Sequence, residues 1–209
     1  YTFNTEFAFN LGVYPYSNGN VSYALTRSAF PYSIANMFAA EGYTANSFHE
    51  GVPDFYNRGP MHTAFGFEIY HCYRDYPISV EGVYSVHDDT FLPRNDALWE
   101  IMTGPEKFYS FVITYSAHLP YAQDAFTVWA REQFPEYNVY GEELSGLYAK
   151  ARLTDEMFRL LLERLEADGK LQDTVFVCYT DHYLYGLQDQ ELLQQKSEEA
   201  GSAILEKTP

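Results

Sequence analysis

The sequence predicts an α/β fold, a mostly parallel sheet flanked by helices, on three observations. First, three separate strand-like runs each finish in side chains with catalytic chemistry: Tyr43–Phe48 leads to His49, Tyr109–Ser116 to His118, and Thr174–Thr180 to Asp181 and His182. In an open α/β sheet, ligands bind outside the carboxyl ends of the strands, so polar groups delivered there from distant parts of a chain can converge. Second, the order helix, short turn, apolar strand recurs, which is the building unit of a parallel sheet with helices on its faces. Third, 46% apolar residues over 209 positions suffice for one sizeable core.

In chain order, the residues after Thr2 to about Leu11 form a short helix that Gly12 ends. Pro31 opens a second helix, with Ile34, Met37, Phe38 and Glu41 along one face, and Gly42 closes it before the strand that ends at His49. Pro53–Pro77 is rich in Pro, Gly, Asn and aromatic residues and reads as a long ordered loop with short helical turns. Val86–Leu92 turns into a helix over about Asn95–Thr103, and an aromatic loop through Pro120 and Tyr121 follows the strand Tyr109–Ser116. Thr154 is placed to cap a helix, with Asp155 and Glu156 in its first turn where the helix dipole favours negative charge. Phe158, Leu161, Leu162 and Leu165 make its apolar stripe, Gly169 stops it, and the strand Thr174–Thr180 follows at once. Gln188–Lys207 is polar, with Leu192, Leu193, Ile204 and Leu205 dispersed through it, and a further strand is expected beyond it.

The formal net charge of -16 argues against a nucleic-acid partner and against attraction to an anionic membrane surface, since both rely on clustered Lys and Arg. An anionic substrate would need a local cation, either a metal or a positioned Arg. Cys72 and Cys178 are the two cysteines, too few for a disulfide framework or a zinc–thiolate site. No apolar run approaches the roughly 20 residues that span a bilayer. The chain begins with Tyr1 rather than Met, so it reads as a segment of a longer protein, with any anchor or signal outside it.

Asp181 and His182, leaving a strand end side by side, are hard and borderline ligands that can share a divalent metal; the alternative is an Asp that caps the next turn beside a polar neighbour. Thr2 stands at a helix start, where free N–H groups favour negative charge. A metal-bound hydroxyl there could attack phosphorus, and the alternative is an ordinary N-cap. Arg58 closes a polar loop that begins at His49; its guanidinium fork suits a phosphate, or else an acidic neighbour in so acidic a chain. Phe55 and Tyr56 could cover the apolar part of a ligand, and His118, before Leu119 and Pro120, is either catalytic or a hydrogen-bonded loop residue. His62, His71 and His87 receive no role.

Taken in order, these segments resemble the extracellular catalytic domain of lipoteichoic acid synthases and related phosphoglycerol transferases, within the alkaline phosphatase/sulfatase superfamily. The resemblance rests on Thr2-Phe3-Asn4-Thr5-Glu6-Phe7 followed by Val13-Tyr14-Pro15, on Glu41-Gly42-Tyr43 leading to Phe48-His49, and on Phe55-Tyr56-Asn57-Arg58. It continues through Thr114 to Tyr121 around His118 and Tyr179 to Tyr183 around Asp181-His182. It implies residues 1–209 as the central part of one sulfatase-like catalytic domain, truncated at both ends, with a Glu ligand expected upstream of Tyr1. Thr2 is implied as nucleophile and metal ligand, Asp181 and His182 as further ligands of one divalent ion, Mn2+ first with Mg2+ or Zn2+ as alternatives. His49, Tyr56, Arg58 and His118 are implied around the head group of a phosphatidylglycerol-like lipid or glycerophosphate polymer, with Tyr56 where the synthases usually carry Trp. The implied setting is the outer face of the cell membrane, in a membrane-anchored parent. Phe3, Asn4 and Thr180 depart from the usual pattern, and the fragment alone is expected to be inactive. Phosphoethanolamine transfer and sulfatase-like hydrolysis are alternatives within the class, although Thr2 stands where a sulfatase carries an oxidisable Cys or Ser. A non-catalytic glycan- or lipid-head-binding domain with aromatic walls is the alternative outside it.

Overall fold

The computed structural model describes residues 2–16, 21–72, 74, 87–104, 106–199 and 201. Within them the helices are α1 (Thr2–Leu11), α2 (Val21–Ala24), α3 (Ile34–Ala40), α4 (Arg58–Phe65), α5 (Asp88–Phe91), α6 (Asp96–Thr103), α7 (Ala125–Gln133), α8 (Glu142–Ala167) and α9 (Gln190–Glu199). The strands are β1 (Thr44–His49), β2 (Ile69–His71) and β3 (Phe108–Ile113). The chain divides into two compact units, Tyr1–Ser116 with Leu153–Tyr183, and Ala117–Arg152 with Leu184–Pro209.

The first unit holds a parallel sheet in the order β2-β1-β3. β1 is central, and its register pairs Phe48 with His71 on one side and Val112 on the other. Successive side chains of a strand face opposite ways, and the two faces of this sheet carry two cores. Ala45 and Phe111 pack with Phe3, Phe7, Met61 and Phe65 beneath α1 and α4. Phe48 packs with Leu98, Trp99 and Met102 of α6 and with Met157, Leu161 and Leu165 of α8. In the second unit Tyr121, Leu144, Leu147 and Leu187 form a smaller core.

Local chemistry explains most boundaries. Gly12 takes φ 69° after α1, a left-handed conformation that glycine adopts without a Cβ penalty. Ser33 caps α3 by accepting from the Asn36 amide at 3.2 Å and donating to the Phe65 carbonyl, so the cap lies two residues after Pro31. Asn95 caps α6 in the same way.

Four expectations need correction. Thr174–Thr180, read as a buried strand, has no strand partner among the described residues and is largely exposed, Cys178 included. Thr154 is no N-cap: α8 begins at Glu142, and the Thr154 hydroxyl donates to Asp88 Oδ2 at 2.5 Å. A helix that already carries buried Leu144, Leu147 and Leu153 does not restart at a favourable capping residue. The stripe expected on α8 holds at Leu161 and Leu165, whereas Leu162 is exposed. The Pro53–Pro77 region contains α4 and the three-residue strand β2, which is too short to show a period of two. Val86, Tyr73, residues 75–77, and Ile204 and Leu205 lie outside the described residues.

Candidate active site

β1 delivers His49 to the carboxyl end of the sheet, directly opposite Ile113 of β3. His49 Nδ1 lies 2.9 Å from the Ile113 carbonyl oxygen. A carbonyl only accepts, so the proton sits on Nδ1 and Nε2 keeps its lone pair. Burial first, and then the nearby Arg58 charge, pushes the imidazole pKa down to about 4. His49 is therefore neutral at pH 7 and acts as an acceptor, not as a cation. Gly51 makes room for it, because a Cβ there would meet His49 Nε2 at 2.5 Å.

α1 and α4 meet in a buried ionic cluster. The Glu6 carboxylate accepts from Arg58 Nε at 3.0 Å, from Arg58 Nη2 at 2.6 Å, and from His62 Nε2 at 3.2 Å. Arg58 and His62 are four apart on α4, which puts both on one face, as Thr2 and Glu6 are on α1. Burial alone would raise the Glu6 carboxyl, but the hydrogen bonds from His62 and Arg58 outweigh it and hold the pKa down to about 2. The sequence left open whether Arg58 meets a phosphate or an acidic neighbour; here its side chain is buried and paired with Glu6. Tyr56 and Asn57 both have left-handed backbones, φ 53° and 51°, which is costly for residues with a Cβ. That turn sets the Tyr56 ring 5.1 Å from the Arg58 guanidinium, a cation–π distance.

On the same unit Asp181 and His182 are adjacent in chemistry as well as in sequence. His182 Nε2 is 3.1 Å from Asp181 Oδ2, and His182 Nδ1 is 2.9 Å from the Tyr183 carbonyl. An imidazole that gives its other N–H to a carbonyl is the usual posture of a metal-binding His. One imidazole nitrogen and one carboxylate oxygen at this spacing fit a single divalent ion. No three His, Cys, Asp or Glu side chains gather as a metal site among the described residues. The Thr5 hydroxyl donates to the Asp181 carbonyl oxygen, which ties the start of α1 to this pair. Thr2 lies three residues before Thr5 and is half-buried.

Of the residues singled out from sequence, Tyr56 and Arg58 stack, Asp181 and His182 pair, and the Arg58 charge reaches His49. His118 belongs to the second unit, where Lys150 Nζ donates to its carbonyl and to that of Pro120. Glu6 and His62 were missed. The four-residue spacing of Glu6 from Thr2 was the available signal, but a carboxylate on a short helix announces nothing until Arg58 faces it.

Comparison with known proteins decides the lineage: the family described as Sulfatase matches residues 1–203. The chain belongs to the sulfatase family. Among family members it is 25% identical over 184 residues to lipoteichoic acid synthase 2 of Bacillus subtilis, a match that covers 87% of this chain and 27% of that protein. It is 23% identical over 184 residues to the lipoteichoic acid synthase of Staphylococcus aureus strain NCTC 8325, covering 87% and 28%. The chain thus spans little more than a quarter of these curated relatives. Its fold matches the crystal structure of the lipoteichoic acid synthase LtaP from Listeria monocytogenes with TM-score 0.70, at 18% identity over 94% of this chain and 47% of that one. The sulfatase-like α/β fold expected from sequence is therefore the fold observed. No helix among the described residues of this sulfatase-family chain is long and apolar enough to cross a membrane.

Proposed function

We propose that this sulfatase-family chain is the core of a metal-dependent phosphotransferase that moves a glycerophosphate-type group from a lipid donor to a cell-envelope polymer. The bond from Thr5 to the Asp181 carbonyl carries the reading, because it joins the helix that begins with Thr2 to a carboxylate–imidazole pair suited to a metal. A bound divalent ion, Mn2+ in the first instance, would lower the pKa of a coordinated hydroxyl and neutralise phosphate charge. Asp181, His182 and Thr2 would hold it.

In the first half-reaction Thr2 Oγ forms a bond to phosphorus and gives up its proton, while the donor's lipid oxygen leaves and takes a proton. In the second, an acceptor hydroxyl displaces Thr2 Oγ from phosphorus and the threonine regains its proton. Arg58 is held by Glu6 and faced by Tyr56, so the phosphate role that the resemblance gives it rests on sequence order. His49, neutral with Nε2 as acceptor, suits a glycerol hydroxyl better than a phosphate oxygen. The role that the resemblance gives His118 rests on sequence order alone. A parent anchored in the membrane, with this segment on its outer face, is part of the same proposal.

The test uses the protein from the whole reading frame, incubated with phosphatidylglycerol and Mn2+ and digested for mass spectrometry. A glycerophosphate adduct on the peptide bearing Thr2 is expected. Thr2→Ala should lose adduct and turnover together while the melting temperature stays within a few degrees. Turnover by the Ala variant would end the covalent mechanism.

A further inference from the structure

A threonine inside a helix commonly turns its hydroxyl back to a carbonyl of its own preceding turn. Thr5 of α1 instead donates to the main-chain carbonyl oxygen of Asp181, 176 residues away. That oxygen belongs to the peptide unit joining Asp181 to His182. The unit is planar, so a bond to its oxygen restrains both of the Cα atoms from which the two side chains start. One hydroxyl thereby aims a carboxylate and an imidazole together.

A second contact lies one turn further along α1, where Phe9 stacks on Tyr179 with ring centroids 4.6 Å apart and planes 21° from parallel. Thr5 and Phe9 are four residues apart, on one face of the helix and about 6 Å apart along its axis. Tyr179 and Asp181 are two residues apart, a stretch of chain that reaches at most about 7 Å. The spacings match, so one face of α1 grips the approach to Asp181 at two points. The grip matters because residues 174–180 pair with no strand among the described residues. Glu6, next to Thr5, holds Arg58 through its carboxylate. A single turn of α1 therefore registers the Arg58 cluster and the Asp181–His182 pair against each other.

We propose that Thr5 is a positioning residue, holding Asp181 and His182 in the arrangement in which they take a divalent cation; the role rests on the proposed reading of this pair as metal ligands. Thr5 touches neither metal nor substrate in it. A hydrogen bond to a ligand's own backbone acts through orientation, and outer partners of metal ligands contribute about 10–100-fold in metal affinity. The role requires the donor and not the shape. Valine keeps the branched outline of threonine and loses the O–H, whereas serine keeps the O–H and loses the methyl group.

The test is Mn2+ binding to the protein made from the whole reading frame, read from the electron paramagnetic resonance of the free ion and independent of turnover. Thr5→Val should weaken binding about 10–100-fold, whereas Thr5→Ser should stay within about threefold of wild type. Asp181→Asn, which alters a ligand itself, should weaken it at least as much as Thr5→Val. Wild-type affinity in Thr5→Val, with binding still lost in Asp181→Asn, would overturn the positioning role and leave the metal pair standing. Thr5→Ser as weak as Thr5→Val would assign the loss to packing and overturn the role as well. Wild-type protein that binds no Mn2+, or Asp181→Asn that binds it undiminished, would overturn the metal pair and the positioning role with it. If Thr5→Val proves insoluble, Thr5→Ala against Thr5→Ser makes the same comparison.

Discussion

Glu6, Arg58 and His62 show how the chain satisfies buried charge, and what that implies for mutation. A buried pair is weak evidence of net stabilisation, but removing one partner strands the other and costs about 3–5 kcal/mol. Arg58→Ala should therefore unfold at markedly lower urea concentration than wild type, with Glu6→Gln in the same direction. A shift under about 1 kcal/mol for Arg58→Ala would mean that Glu6 is solvated after all. The consequence for kinetics is that loss of activity in Arg58→Ala must be read only on protein shown to be folded.

The titrating groups set a two-sided pH profile. His49 has its pKa lowered in the fold, so unfolding takes up a proton and stability falls as pH drops from about 6.5 towards 4. Glu6 adds a second loss of the same sign as pH falls from about 4.5 towards 2. Glu50 runs the other way: burial first, then the charges of Asp88 and Asp89, push its carboxyl well up, so stability is lost as pH rises above the ordinary carboxylate range. One Glu50 oxygen is buried without a partner. Glu50→Gln, which mimics the protonated acid, should match wild type near pH 4 and exceed it near pH 8 in urea titrations. Equal stability of the two at pH 8 would show that Glu50 is solvated.

Elements were legible where local signals agreed. α1, β1, β3 and α6 emerge from a Gly stop, an Asn cap and apolar strands bounded by turns, and each needs only its own residues to be recognised. β2 has three residues and α8 has 26, and both defeat window reasoning, one by brevity and the other by continuing through Thr154. Gly146 sits inside α8 where a Cβ would run into the Tyr121 backbone carbonyl. Helix propensity alone favours Ala over Gly by about 1 kcal/mol, but Gly146→Ala forces backbone apart and should destabilise by about 1–3 kcal/mol. A stabilised Ala variant in a thermal melt would show that the helix can shift. The candidate site was legible at a strand end for His49 of β1, whereas residues 174–180 before Asp181 pair with no strand among the described residues and His118 belongs to the second unit. The pairings of the site were not legible, because Glu6 and Arg58 are 52 residues apart and only the fold makes them neighbours.

At the scale of the whole molecule, 29 acidic against 13 basic residues give a self-repelling surface. Such repulsion destabilises the compact state and is screened by salt. The melting temperature should rise between about 0.01 and 0.2 M NaCl, where the Debye length shrinks from about 30 Å to under 10 Å. A flat or falling profile would show that local pairs such as Arg159 with Glu156 and Glu163 dominate. Asp88 belongs to the same scale. One buried carboxylate receives the amides of Tyr115 and Ser116 and the hydroxyl of Thr154. These partners lie 27, 28 and 66 residues away, so no fragment of the first unit can complete the set before both β3 and α8 have docked. Such late-forming contacts act on escape from the native state more than on the approach to it. Asp88→Asn is therefore expected to shorten the lifetime of the folded unit in unfolding-rate measurements while leaving the speed of its assembly to the two cores.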